Sequence, residues 1–386
     1  MSIYSILNFW GKMENNHYDF IDSLRGIAIL GVIMVHAVQF GRFNAPVLVF
    51  IAKLAGEGQN GVQLFYLVSA FTLFLSMENR INKEFNPIKN FFIRRFFRIA
   101  PMYYIAIAAF LVTFGFGPRY WLGDAQNITI LNILSNMIFL HGFNPYWINS
   151  LVLGGWSIAV EMTFYCILPF LFSKIRTINH AIICFEISIV IRPILYMILI
   201  RFNPIGSDYL WGHYLGFYFP NQLPVFCLGI IMYFIVIKKQ NLYDIKGETL
   251  FLLGLFCVFE VTIGKDFFAP HHIVVTLAFL LFAISISIYK NILAINPLFS
   301  YFGKISFSMY LVHYQVLIAL TRVNFIDYAK NGTINFILRY IITVILTSII
   351  STISYKIIEL PFQNLGKRLI NKMENKALLK RETNSV

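Results

Sequence analysis

The chain has 386 residues, of which 58% are hydrophobic and 17% aromatic, while 13% are charged. Soluble domains carry about 25% charged residues, so this composition, with a mean hydropathy of +0.69, excludes a soluble multidomain protein and indicates a polytopic membrane protein. The net charge of +13, from 31 Lys and Arg against 18 Asp and Glu, is in such a chain a topological signal before it is a sign of nucleic-acid binding.

A helix crosses the hydrocarbon core with about 20 apolar residues. Ten segments meet or approach that length: 21–40, 61–76, 99–116, 156–172, 181–200, 223–237, 249–263, 271–289, 305–320 and 334–355. The expected fold is all-α, a transmembrane helix bundle of about ten spans. Segments 47–55 and 131–140 are too short to span and are expected to be interfacial or re-entrant. Residues 1–20 lack the small-residue cleavage site of a signal peptide and are expected to be a cytoplasmic or interfacial segment, with Met13 as an alternative start. Residues 21–360 form one membrane domain and 361–386 a basic cytoplasmic tail, with no soluble catalytic domain following.

Between the spans, Lys and Arg number 21 on the side of the two termini and 6 on the other, with Arg25, Arg192, Arg201 and Arg339 within or at the ends of spans. That excess marks the cytoplasm and places both termini there. Asn127-Ile-Thr and Asn331-Gly-Thr fall on the outer side and match glycosylation acceptors, in an Asn-rich chain where chance matches are expected. Cys166, Cys184, Cys227 and Cys257 lie in apolar runs without metal-type spacing, which reads as buried free thiols and no metal site.

Ionisable groups inside spans are costly, so each is a candidate for function. The first span carries Arg25 and His36. Eleven residues bring both side chains to one helix face, about 16 Å apart along the axis. Arg25 reads either as a snorkelling anchor at the cytoplasmic surface or as an anion ligand, and His36 as a packing histidine or a functional base. The fourth span opens with Trp156 and Ser157, and Glu161 shares a face with Ser157 at i,i+4. A structural Glu paired to an arginine is the competing reading of Glu161, and an interface anchor that of Trp156. Arg94, Arg95 and Arg98 close the second cytoplasmic loop, either as a topology signal or as a phosphate-binding cluster, since guanidinium binds phosphate through paired planar hydrogen bonds. Ser306, Tyr310 and His313 form a polar stripe that should face a cavity or polar partners rather than lipid.

Six pieces in order resemble the integral-membrane acyltransferase-3 family. They are Phe20-Ile-Asp-Ser-Leu-Arg25 with His36 beyond it, Phe65-Tyr-Leu-Val-Ser69-Ala-Phe71, Arg94-Arg-Phe-Phe-Arg98-Ile-Ala-Pro101, Trp156-Ser-Ile-Ala-Val-Glu161, Ser306-Phe-Ser-Met-Tyr310-Leu-Val-His313 and Glu359-Leu-Pro361-Phe. They run from Phe20 to about Leu369, close to the whole chain. Ala70 stands where the family usually has Gly, and Met162 where a second Glu often follows the first. A stand-alone member, without the esterase domain often appended in the family, is expected.

The resemblance implies transfer of an acyl group, commonly acetyl from acetyl-CoA, to a hydroxyl of a cell-surface glycan. On that basis His36 is expected as general base and Glu161 as its orienting partner or an acceptor-positioning group, with an acyl-histidine as the open alternative. Arg25, Arg94, Arg95 and Arg98 are expected to hold the phosphates of acyl-CoA. Ser69, Trp156, Ser157, Tyr310 and His313 are expected on the substrate side, Ser69 and Tyr310 as donors near the reacting carbonyl. The expected partners are an envelope glycan such as O-antigen or capsule and membrane lipid, in a bacterial inner membrane. The rival class is a proton-coupled transporter or flippase, which also places His, Glu and Arg in spans, though such carriers often show internal repeats and none stands out here.

Overall fold

The computed structural model describes residues 19–41, 47–119, 126–240, 270–288 and 295–383. In chain order these form α1 (Asp19–Gln39), α2 (Val49–Glu57), α3 (Gly61–Ile81), α4 (Pro87–Phe114), α5 (Ile130–Met137), α6 (Gly155–Lys174) and α7 (Ile178–Arg201). Then follow α8 (Asp208–Phe217), α9 (Phe219–Val236), α10 (His271–Ile288), α11 (Pro297–Lys304), α12 (Ser306–Arg322), α13 (Gly332–Ser354) and α14 (Leu360–Thr383). Extended pairing among the described residues is limited to one antiparallel bridge, Pro118 to Asn127.

Helices lie over nine of the ten expected segments. The tenth, 249–263 with Cys257, lies outside the described residues, as do residues 1–18. Among the described residues, seven helical stretches are long and apolar enough to cross a bilayer. Their outer faces need one. On α13 the side chains of Ile334, Ile341, Ile345, Ile349 and Ile353 follow one face and each is about half exposed. On α7, Ile183, Ile187, Ile191, Ile194 and Ile198 do the same. Stripes of that length are not found facing water, and lipid tails cover them without cost.

Three elements extend beyond what hydropathy marks. Segment 47–55 is no separate piece: α2 runs through a 3-10 turn, Gly58–Asn60, into α3 as a helical stretch of 33 residues. Helix α4 starts at Pro87, well before residue 99, because its first three turns are amphipathic rather than apolar. The basic tail is helical as α14, entered through a π turn over Tyr355–Glu359. Pro361 has no N–H to give to the preceding turn, and the wider turn just before it carries the helix past that missing donor.

The chain divides into two compact units, Met1–Val68 with Val275–Ser351, and Ser69–Val274 with Thr352–Val386. In the first, α1 lies against α11 with almost no side chain between them. A Cβ on Gly26 would strike the backbone of Phe299, and one on Gly303 the backbone of Asp22. The Ser23 and Ser300 hydroxyls meet across the seam at 2.9 Å. On another side, Gly31 faces Gly58 and Gly61 faces Ala28 just as closely. Small residues are what let helix backbones approach in a membrane.

The C-terminal end of α1 is tied to α13 by Arg339, which is buried. Its Nη2 donates to Asp327 Oδ1 at 2.6 Å, its Nε to the Ile326 carbonyl at 2.9 Å and its Nη1 to the Ala37 carbonyl at 3.0 Å. Ala37 stands in the last turn of α1, where carbonyls have no helical donor. Asp327 also accepts from Asn335 Nδ2 at 2.8 Å.

In the second unit, α9 packs on α7, with Arg192 Nη1 donating to Asn221 Oδ1 at 3.3 Å and the Cys184 and Cys227 sulfurs 3.6 Å apart. Helix α14 lies along α4, with Gly366 against the Phe97 ring. Glu374 of α14 accepts from the Phe85 N–H and from Asn90 Nδ2, both at 2.8 Å. Arg339→Ala should destabilise the protein by about 3–5 kcal/mol, the cost of leaving a buried partner charge uncompensated. Thermal unfolding in detergent micelles should show a large drop in Tm for Arg339→Ala and almost none for the exposed Lys330→Ala.

Candidate active site

The singled-out residues gather into two clusters, one in each unit. In the first unit His36 stands in the last turn of α1. Its Nδ1 lies 3.0 Å from Gln39 Oε1 and its Nε2 lies 2.9 Å from the Tyr314 hydroxyl. The Tyr314 hydroxyl also lies 3.1 Å from Nδ1, so it meets the imidazole at both ring nitrogens, while Gln39 meets it at Nδ1 alone. The His313 ring stacks on His36 at 5.3 Å, interplanar angle 26°. His313 is fully buried and donates from Nδ1 to the Met309 carbonyl at 3.2 Å, leaving Nε2 without a hydrogen bond among the described residues. Tyr310 packs edge-on against Phe65 and 5.8 Å from His313. The expected stripe of α12 therefore does face His36, and the hydroxyl that touches the imidazole belongs to Tyr314. Arg25, at the other end of α1, pairs with Asp22 at 3.3 Å.

In the second unit Glu161 occupies the second turn of α6. Ser69 Oγ and the Tyr165 hydroxyl both donate to its Oε1, each at 2.6 Å. Hydrogen bonds this short to a carboxylate are of the strong, charge-assisted kind. Oε2 has no hydrogen bond among the described residues, so one oxygen is held and the other is open. Arg95 lies 5.8 Å from the centroids of both Phe91 and Tyr165 and feels the charge of Glu161. Arg98 is half-buried, interacts electrostatically with Arg95 and Tyr165, and has no carboxylate partner among the described residues.

Arg94 stands apart from that pair. Its Nη1 and Nη2 donate to Glu84 at 2.8 to 3.2 Å, beside hydrogen bonds from Asn90 and Arg80 to the same carboxylate. Arg98 shares a helix side with both, at i+4 from Arg94 and i+3 from Arg95, and the partners separate them: Arg94 is drawn to Glu84, while Arg95 interacts with Arg98. Geometry thus groups Arg95 with Arg98 and gives Arg94 to the α3–α4 turn.

The start of α6 is set by a buried polar network. Asn149 Oδ1 accepts from the Gly154 N–H at 2.8 Å, and Ser157 Oγ donates back to the Gly154 carbonyl at 2.9 Å. Ser157 therefore closes the turn that begins the helix. His141 Nε2 donates to the Gly155 carbonyl at 3.0 Å, and Tyr103 donates to Asn136 Oδ1 at 2.8 Å. Burial lowers the His141 pKa to about 4 in spite of that bond, so the ring is neutral near pH 7 and serves as a fixed donor. Trp156 stacks on Phe217 at 4.6 Å at the edge of a cluster built from Ile148, Trp211, Tyr214 and Leu215.

Three partners went unread in the sequence: Tyr314, Tyr165 and Gln39. The signal for each was present, since Tyr314 is i+4 from Tyr310, Tyr165 is i+4 from Glu161 and Gln39 is i+3 from His36. The same spacing that joined Ser157 to Glu161 reaches Tyr165 in the other direction.

Burial alone pushes the Glu84 carboxyl upward, but hydrogen bonds from Arg94, Asn90 and Arg80 outweigh it and hold the pKa below its ordinary value. A lowered folded-state pKa stabilises fully above the ordinary carboxylate range and is lost as pH falls through the lowered value. Unfolding measured from pH 7 down to pH 3 should show stability falling on acidification, and Glu84→Gln should be less stable at pH 7 while losing less on the acid side.

A family model described as an acyltransferase domain matches residues 18–356. O-acetyltransferase OatA of Staphylococcus aureus is 26% identical over 377 residues, an alignment covering 90% of this chain and 57% of that protein. The putative peptidoglycan O-acetyltransferase YrhL of Bacillus subtilis is 27% identical over 385 residues, covering 92% of this chain and 57% of that protein. The chain thus spans less than two thirds of the length of these relatives. No solved structure matches it. The family match takes in both clusters, from His36 on α1 to Tyr314 on α12, and the chain belongs to the acyltransferase-3 family.

Proposed function

We propose that this chain is a multi-pass bacterial membrane O-acyltransferase with both termini in the cytoplasm. It moves an acyl group, in the simplest case acetyl, from cytoplasmic acyl-CoA to a hydroxyl of an extracytoplasmic cell-surface glycan. Family membership and relatives named as O-acetyltransferases support the reaction class, and the name of YrhL makes peptidoglycan the first acceptor to examine. The observation that carries the reading is the setting of His36, whose imidazole is met by Gln39 at Nδ1 and by the Tyr314 hydroxyl at 2.9 Å from Nε2, a place that a substrate hydroxyl can take over.

His36 Nε2 then accepts the proton of the acceptor hydroxyl as its oxygen attacks the thioester carbonyl. The tetrahedral intermediate collapses with cleavage of the C–S bond, and the imidazolium returns its proton to the departing CoA sulfur. Glu161, with Oε1 held by Ser69 and Tyr165, keeps Oε2 for orienting a hydroxyl. Arg98, backed by Arg95, is the first choice for donor phosphate, because Arg94 and Arg25 already share their charge with Glu84 and Asp22.

Membranes given radiolabelled acetyl-CoA should label a surface glycan, and His36→Ala and His36→Gln should abolish that label at unchanged protein level. Normal labelling by either variant would remove His36 from the chemistry. Arg98→Ala should raise KM for acyl-CoA about tenfold to a hundredfold, the loss of one or two charge-assisted bonds, with little change in Tm. Arg94→Ala should lower Tm more than it alters KM.

A further inference from the structure

A cavity of about 320 Å³ opens at the C-terminal end of α4, lined by Phe110, Phe114, Arg119, Asn149, Ser150 and Leu153 with Pro118. Its volume is at the lower end of the range of small-ligand pockets. The lining is mostly apolar, with Phe110 buried and stacked on Phe114, and its few polar groups are held in place by the fold. Asn149 is buried and spends its Oδ1 on the Gly154 N–H, while its Nδ2 makes no hydrogen bond among the described residues. Ser150 is buried and fixed by Asn132 Nδ2 at 2.9 Å.

Arg119 is the unusual member. Its Nη2 donates to the Gly115 carbonyl and its Nη1 to the Leu151 carbonyl at 3.4 Å, while its guanidinium lies 5.2 Å from the Phe114 ring centroid. Its Nε is buried with no partner, and no carboxylate among the described residues pairs with it. Burial lowers its pKa with no neighbouring anion to oppose the shift. Carbonyl oxygens hold the guanidinium in place without cancelling its charge. A cation in that condition is matched by a ligand anion, and guanidinium suits a carboxylate in planar, paired geometry. The exposed Phe114 side chain and the free amide donor suit a sugar ring, which presents an apolar face and hydroxyl edges.

We propose that this cavity is a subsite for an acidic sugar, with Arg119 binding its carboxylate, Phe114 packing against the ring and Asn149 Nδ2 donating to a ring hydroxyl. The proposal rests on the reading that the acceptor is a glycan and adds the charge of the residue it selects.

The experiment measures binding of glucuronate and glucose, which differ at C6 as carboxylate and hydroxymethyl, to the purified full chain in detergent micelles without acyl donor. The wild type should prefer glucuronate by about tenfold or more, the worth of one charge-assisted pair. Arg119→Gln should abolish the preference, Arg119→Lys should keep most of it, and Phe114→Ala should weaken both sugars together. His36→Ala should bind glucuronate normally while losing transfer, so failure of the acyl-transfer reading shows in labelling and failure of this one in binding. Equal affinity for the two sugars in the wild type would overturn the proposal. So would an unchanged preference in Arg119→Gln, or tighter binding of inorganic phosphate than of glucuronate.

Discussion

Hydrocarbon offers no hydrogen bond, so every polar group carried into this fold must be answered by another group of the same chain. Arg339 satisfies this with three acceptors, two of them carbonyls, one in the last turn of α1 and one in the loop before α13. Glu161 satisfies it through one oxygen only, by the hydroxyls of Ser69 and Tyr165. His36 satisfies it with an amide on one side and a phenol on the other. The degree of satisfaction separates structure from chemistry. Arg339 is buried with each of its three nitrogens engaged, whereas Glu161 keeps an oxygen and His36 is met by a hydroxyl that can turn away.

The two clusters share a further property. Each places its reactive atom next to tyrosines supplied at helical spacing, Tyr310 and Tyr314 around the imidazoles and Tyr165 beside the carboxylate. A phenol is both donor and acceptor and packs as an apolar body, so it suits a site that must stay dry between visits of substrate. The arginines divide on the same principle. Arg94, met by Glu84, fastens the α3–α4 turn, while Arg95 and Arg98 retain charge that no carboxylate among the described residues pairs with.

Much of the architecture was legible in the sequence, because apolar length is a strong signal in a membrane protein. Nine of the ten expected segments are helices within a few residues of the expected limits, apart from the longer start of α4. What hydropathy could not mark were helical stretches that are amphipathic or glycine-rich: α2, the first turns of α4, and α14. The site was legible as a set of residues but not as a set of contacts. His36 and the α12 stripe read clearly, and their meeting did not, since the pairing of α1 with α12 depends on tertiary packing. Arg94 was read with Arg95 and Arg98 as one cluster, and the partner that draws it away, Glu84, lies across a turn where helical periodicity has no reach.

The glycine seam between α1 and α11 has a mechanical consequence. With the backbone at Gly26 against Phe299 and that at Asp22 against Gly303, the two helices mesh like gear teeth and neither can slide or roll without its neighbour. The imidazole at the far end of α1 therefore has a stationary mount. Change in the contacts of His36 is then left to torsion of lighter parts, above all the Tyr314 phenol.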